Sequence, residues 1–188
     1  MQSFFELIHD FDMQILEWIA NIRGYYLDQI MIFITTIGNQ GLVWIVLGLG
    51  LMVTKKYRFV GLVSLLALII GTLLTDVSMK FYFARVRPYT YLTDYKLLIE
   101  EPSSFSFPSG HATASFAAAG VIAYYIKSYR FPVLVFASLM AFSRMYLYVH
   151  FTSDVIAGVL VGLSSSVLAI MIATKLTKER NSQLEYND

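Results

Sequence analysis

Five stretches of this chain contain no Asp, Glu, Lys or Arg: residues 29–54, 59–75, 102–126, 131–143 and 155–174. A helix needs about 20 mostly apolar residues to cross the hydrocarbon core of a bilayer, and no other feature restricts the possible folds so tightly. The fourth stretch is short by itself, but residues 145–149 extend it past Arg144. Composition agrees: 57% of the 188 residues are hydrophobic and 14% are charged, against about 25% charged in soluble domains. The expected fold is all-α, a polytopic transmembrane helix bundle of five to six spans. A net charge of +1 leaves no nucleic-acid footprint, and the absence of cysteine removes disulfides, thiolate metal sites and a Cys nucleophile.

The chain divides into an amphipathic N-terminal segment (1–28), a transmembrane domain (29–175) and a polar cytoplasmic tail (176–188). In the first segment Phe4, Leu7, Ile8, Phe11, Ile15, Trp18, Ile19 and Ile22 recur at helical spacing, with Glu6, Asp10, Gln14, Glu17 and Asn21 opposite. Such a helix either packs on the bundle or lies in the headgroup region. It lacks the basic start of a secretory signal.

Short-loop cations orient the bundle. Lys55, Lys56 and Arg58, then Lys127 and Arg130, then Lys175, Lys178 and Arg180 fall on one side, which should be cytoplasmic. The N-terminal helix, residues 85–101 and the turn near His150 then face outward, where Arg85 and Arg87 violate the charge rule. The segment Gly38-Asn39-Gln40-Gly41 is an expected helix break, so that 42–54 crosses while 25–37 lies along the outer interface. Five crossings with an outward N-terminus follow; the alternative is six, with the N-terminus cytoplasmic.

Ionisable residues at membrane depth are functional candidates by default, and three clusters meet that description on the outward side. Lys80 and Arg87 are seven apart, about two helical turns, so both can point one way and attract a phosphate dianion. Snorkelling anchors would have the same spacing. Pro108-Ser109-Gly110-His111 reads as a helix start whose N–H groups bind phosphate, or as a Ser-capped helix with an incidental histidine. His150 and Asp154 are i,i+4, so on a helix the carboxylate can fix the ring tautomer and leave the other nitrogen free; a buried structural pair is the alternative. Arg144, six residues before His150, faces the same ligand only if the helix breaks between them.

Lys-x6-Arg-Pro, Pro-Ser-Gly-His and Ser-Arg-x5-His-x3-Asp together resemble the three-part signature of the type-2 phosphatidic acid phosphatase superfamily. The match runs from Lys80 to Asp154 and departs at no signature position. The resemblance implies an enzyme in which His150 attacks phosphorus, Asp154 orients it and His111 protonates the leaving oxygen. Lys80, Arg87, Ser109, Gly110 and Arg144 would bind the phosphate. It implies no metal or other cofactor. Soluble vanadate-dependent haloperoxidases share the signature, but five hydrophobic stretches argue against them.

The implied substrate is a phosphorylated lipid reached from the outer face of the cell membrane, with membrane lipids as the other partners and no nucleic acid. Undecaprenyl diphosphate fits an outward site that recycles a carrier lipid. Phosphatidylglycerophosphate or phosphatidic acid is the alternative within the class. A non-catalytic phospholipid-binding or flipping protein is the alternative outside it, although binding alone would need only the cations.

Overall fold

The computed structural model describes residues 4–92 and 96–187, and every regular element among them is helical. In chain order these are α1 (Phe4–Asn21), α2 (Tyr25–Ile37), α3 (Leu42–Val53), α4 (Arg58–Thr72), a π-helical continuation Leu73–Met79, α5 (Lys80–Phe83), α6 (Gly110–Tyr125), α7 (Arg130–Tyr146) and α8 (Thr152–Asn187).

Helix α6 is the hub and packs against α4, α7 and α8. Its sequence explains why: Ala112, Thr113, Ser115, Ala117, Ala118, Ala119 and Ala123 are all buried, and small side chains let neighbouring backbones approach. The pair Gly158 and Gly162 completes the contact from α8. A Cβ on Gly158 would lie 2.6 Å from the Ser109 carbonyl, and one on Gly162 would lie 2.5 Å from that of Thr113. Trp44 ties α3 to the hub by donating to Ser115 Oγ at 2.9 Å.

Polar residues occupy the interior, with Ser64, Thr75, Ser115, Ser165 and Ser166 all buried, while Leu62, Ile69, Ile156, Leu160, Val167 and Met171 are exposed. That exterior suits lipid rather than water. Among the described residues two helical runs, Arg58–Tyr91 and Thr152–Leu184, are long and apolar enough to cross a membrane, and a third is added if α2 and the run Asn39–Val53 form one bent span. The bend is 48° and falls at the expected break, where Gln40 and Gly41 both adopt positive φ (53° and 71°).

In the stretch 102–126 the helix begins at Gly110, as the Pro-Ser-Gly-His start predicts. Residues 175–184 continue α8 as an exposed helix, with a Lys175–Glu179 i,i+4 pair at 3.9 Å. One local expectation needs correction. Helix α1 docks on α7 and α8 through Asp12, Leu16 and Ile19, all essentially buried. Leu7, Phe11, Trp18 and Ile22, read from periodicity as one apolar face with Ile19, stay exposed. A carboxylate in the packed stripe shifts the docking face because its ion-pair partner lies inside the bundle.

Candidate active site

The three clusters converge on one cavity of about 970 Å³, lined by Lys80, Arg87, Gly110, His111, Arg144 and His150. Each reaches it by a different local device. Lys80 and Arg87 do not share a helix face as their spacing suggested. Helix α5 stops at Phe83, Ala84 turns left-handed (φ 43°), and Arg87 is extended before Pro88, as a residue preceding proline should be. The two cations meet instead through Ser104, whose hydroxyl lies 3.2 Å from both Lys80 Nζ and Arg87 Nη2. Lys80 also pairs with Asp76 at 2.7 Å. Arg87 is held further by the carbonyls of Ser104 (2.9 Å), Phe105 (3.2 Å) and Val149 (2.6 Å).

The spacing of Arg144 and His150 is explained by the end of α7. The N–H groups of Val149 and His150 both donate to the Arg144 carbonyl at 3.2 Å. Tyr148 adopts positive φ (62°), and the chain folds back over the helix end. The helix therefore breaks between the two residues, as facing one ligand requires. Arg144 is 4% exposed, donates to Thr35 Oγ1 and keeps a buried Nε with no partner among the described residues.

His150 lies in that turn rather than on α8, so the i,i+4 relation to Asp154 spans a helix start. Asp154 Oδ2 accepts from the Phe151 N–H (2.9 Å) and from Ser106 Oγ (2.5 Å). It stands 3.5 Å from His150 Nδ1. Ser106 Oγ is 3.4 Å from the same nitrogen. At the other nitrogen, Nε2, Arg87 Nη1 approaches to 3.2 Å as a donor. Acceptors at Nδ1 and a donor at Nε2 select the same form: neutral, protonated on Nδ1, with the Nε2 lone pair toward the cavity. Burial acts in the same direction, pushing His150 well below the usual histidine range, with Arg87, Arg144 and Lys80 adding to the effect.

His111 begins α6 and is only half-buried. Its Nε2 lies 3.2 Å from both the Thr35 carbonyl and Asn39 Oδ1. Both are acceptors, so Nε2 carries the proton. Ser109 caps α6 by accepting from Ala112 N, and gives its own N–H to the Asp154 carbonyl at 3.0 Å. It is fully buried behind the cavity, whereas Gly110 lines it. The sequence gives no sign of Thr35, Ser104 or Ser106 and marks Asn39 only as part of the helix break. Arg85 carried a signal as a wrong-side cation but had no assigned role.

Comparison with known proteins comes to the same place. A family model described as the PAP2 superfamily matches residues 61–178. An undecaprenyl-diphosphatase of Sulfolobus acidocaldarius is 30% identical over 165 residues, covering 86% of this chain and 78% of that protein. Phosphatidylglycerophosphatase B of Bacillus subtilis is 35% identical over 157 residues, covering 76% and 73%. The crystal structure of a transmembrane PAP2-type phosphatidylglycerolphosphate phosphatase from B. subtilis superposes with a TM-score of 0.75 at 33% identity, covering 90% of this chain and 87% of that one.

Proposed function

The chain belongs to the PAP2 superfamily of phosphatases, and from that premise we propose that it hydrolyses a lipid phosphate through a phosphohistidine on His150. The observation that carries this reading is the neutral His150 with its Nε2 lone pair beside three cations on one cavity. The Nε2 lone pair attacks phosphorus, the bond from phosphorus to the lipid oxygen breaks, and His111 gives that oxygen a proton. Water then attacks phosphorus and passes a proton back to His111, the P–N bond breaks and inorganic phosphate leaves. Arg87 must release Nε2 as the phosphoryl group arrives, moving its donors onto the oxygens. The unpartnered Arg144 Nε supplies another donor where charge develops. Three fixed cations do the work otherwise given to a divalent metal, so activity should survive saturating EDTA.

A lipid substrate is supported by Ile32, Ile45, Leu68 and Leu98, which give the same cavity apolar walls. Undecaprenyl diphosphate is the proposed lipid, as in the name of the Sulfolobus relative; the B. subtilis phosphatidylglycerophosphatase B and the B. subtilis crystal structure favour phosphatidylglycerophosphate as the second reading. The test is phosphate release by purified protein, in EDTA, from undecaprenyl diphosphate, phosphatidylglycerophosphate and phosphatidic acid. Release from none of them would sink the enzyme reading and leave lipid binding or flipping.

The proposed topology is five crossings, with the cavity and the N-terminus outward. Because the chain has no cysteine, a single cysteine at Ser3, which lies outside the described residues, reports its side of the membrane to an impermeant thiol reagent. Labelling only after permeabilisation would favour six crossings.

A further inference from the structure

Arg85 sits between two buried carboxylates on distant helices. Its Nη1 donates to Asp154 Oδ1 at 2.6 Å and to Ser153 Oγ at 2.7 Å, and its Nη2 donates to Asp12 Oδ2 at 2.8 Å. Both aspartates are 0% exposed, and the guanidinium also lies 4.0 Å from the Phe151 ring centroid. Asp12 is tied down in turn: its Oδ1 accepts from the Ser153 N–H at 2.8 Å and its Oδ2 from Ser153 Oγ at 2.5 Å. The left-handed Ala84 aims Arg85 inward, and the Arg85 carbonyl anchors the Ser106 N–H at 2.8 Å.

This arrangement determines which way the Asp154 carboxylate faces. Its Oδ1 is held by the guanidinium fork, so Oδ2 must face Ser106, the Phe151 N–H and His150 Nδ1. Without Arg85 the carboxylate is held through Oδ2 alone, by Ser106 and the Phe151 N–H, and a buried charge loses its counter-charge. We propose that Arg85 and Asp12 are positioning residues for the nucleophile: Arg85 orients Asp154, Asp12 orients Arg85, and the N-terminal helix is thereby a working part of the active site. The proposal rests on the reading of His150 as nucleophile.

Full-length protein in detergent, assayed with short-chain phosphatidic acid, tests it. Arg85→Gln should lower kcat by about 100-fold or more, because a misoriented base partner costs turnover rather than affinity. KM should stay within about threefold, and Arg85→Lys should recover part of the loss. Asp12→Asn, which keeps its shape, should lower kcat about tenfold at unchanged KM. On an Asp154→Asn background Arg85→Gln should cost almost nothing further, since two residues acting as one unit are not additive. Equal losses on both backgrounds, or a raised KM with kcat intact, would overturn the proposal. Should Arg85→Gln fail to fold, Asp12→Asn decides, and an unchanged kcat there refutes it. His150→Ala separates the two claims: turnover by that variant overthrows the nucleophile reading, whereas its silence beside a fully active Arg85→Gln overthrows this inference alone.

Discussion

His150 is 2% exposed and meets a neighbour at each ring nitrogen, whereas His111 is half-buried and meets two acceptors at Nε2. The first is built into a turn locked by α1, α8 and the loop carrying Ser104 to Ser106. The second is held by Thr35 near the end of α2 and by Asn39 in the break that follows it, where the chain bends by 48°. A nucleophile that stays on the enzyme through a covalent step gains from a rigid, dehydrated seat. An acid that must meet leaving lipids of different shape gains from a wall that can adjust. The difference suggests that the two histidines tolerate change very unequally.

The largest expected effect is at the rigid end. His150→Ala should abolish phosphate release while the protein still elutes as a folded species, because its proposed role is chemical rather than structural. Retention of more than a few per cent of wild-type turnover would erase the contrast. His111→Ala should cost about 10²–10⁴-fold, the usual contribution of a general acid. Its loss should be greater for a phosphomonoester than for a diphosphate, whose leaving group needs less protonation. Equal losses on the two substrates would show that His111 binds rather than donates.

Asn39→Ala should sharpen the comparison from the His111 side. Removing one of two acceptors from His111 Nε2 should lower kcat about two- to tenfold, the worth of a single hydrogen bond, and leave any His111→Ala background untouched. A further drop on that background would place Asn39 on the substrate instead. The smallest effect is with pH. Burial and three cations hold His150 well below the usual 6.5, so the nucleophile stays neutral as pH falls to about 6.5, and its protonation should add no acid limb to kcat/KM down to there. The sign for stability is the same. An unfolded chain takes up that proton near pH 6.5 and the folded one does not, so His150 stabilises the fold above that pH and ceases to as pH falls through its lower folded value. An acid limb at or above pH 6.5 would show that His150 is solvated.

How much of this was legible depends on sequence distance. The break at 38–41 and the cap at Ser109 are local matters of glycine and serine that residue types reveal, and the spacing of Arg144 and His150 states the condition under which a helix end must fall between them. The convergence of Lys80 and Arg87 was expected for the wrong local reason. A left-handed residue and a distant serine, not a shared helix face, bring them together. Thr35 reaches Arg144 across 109 residues and Asp12 reaches Ser153 across 141. Nothing in the composition around a threonine, a serine or an N-terminal aspartate announces such a partner.

The sequence by itself determined an all-helical membrane protein and most of the polar groups that line its cavity, because charge is costly in lipid and survives in few places for few reasons. Only the tertiary structure decided how those groups are oriented. Which ring nitrogen is free, which oxygen of Asp154 faces it and which helix holds the guanidinium behind it are set by long-range hydrogen bonds. Their donors and acceptors are ordinary side chains until packing brings them within 3 Å or so of one another.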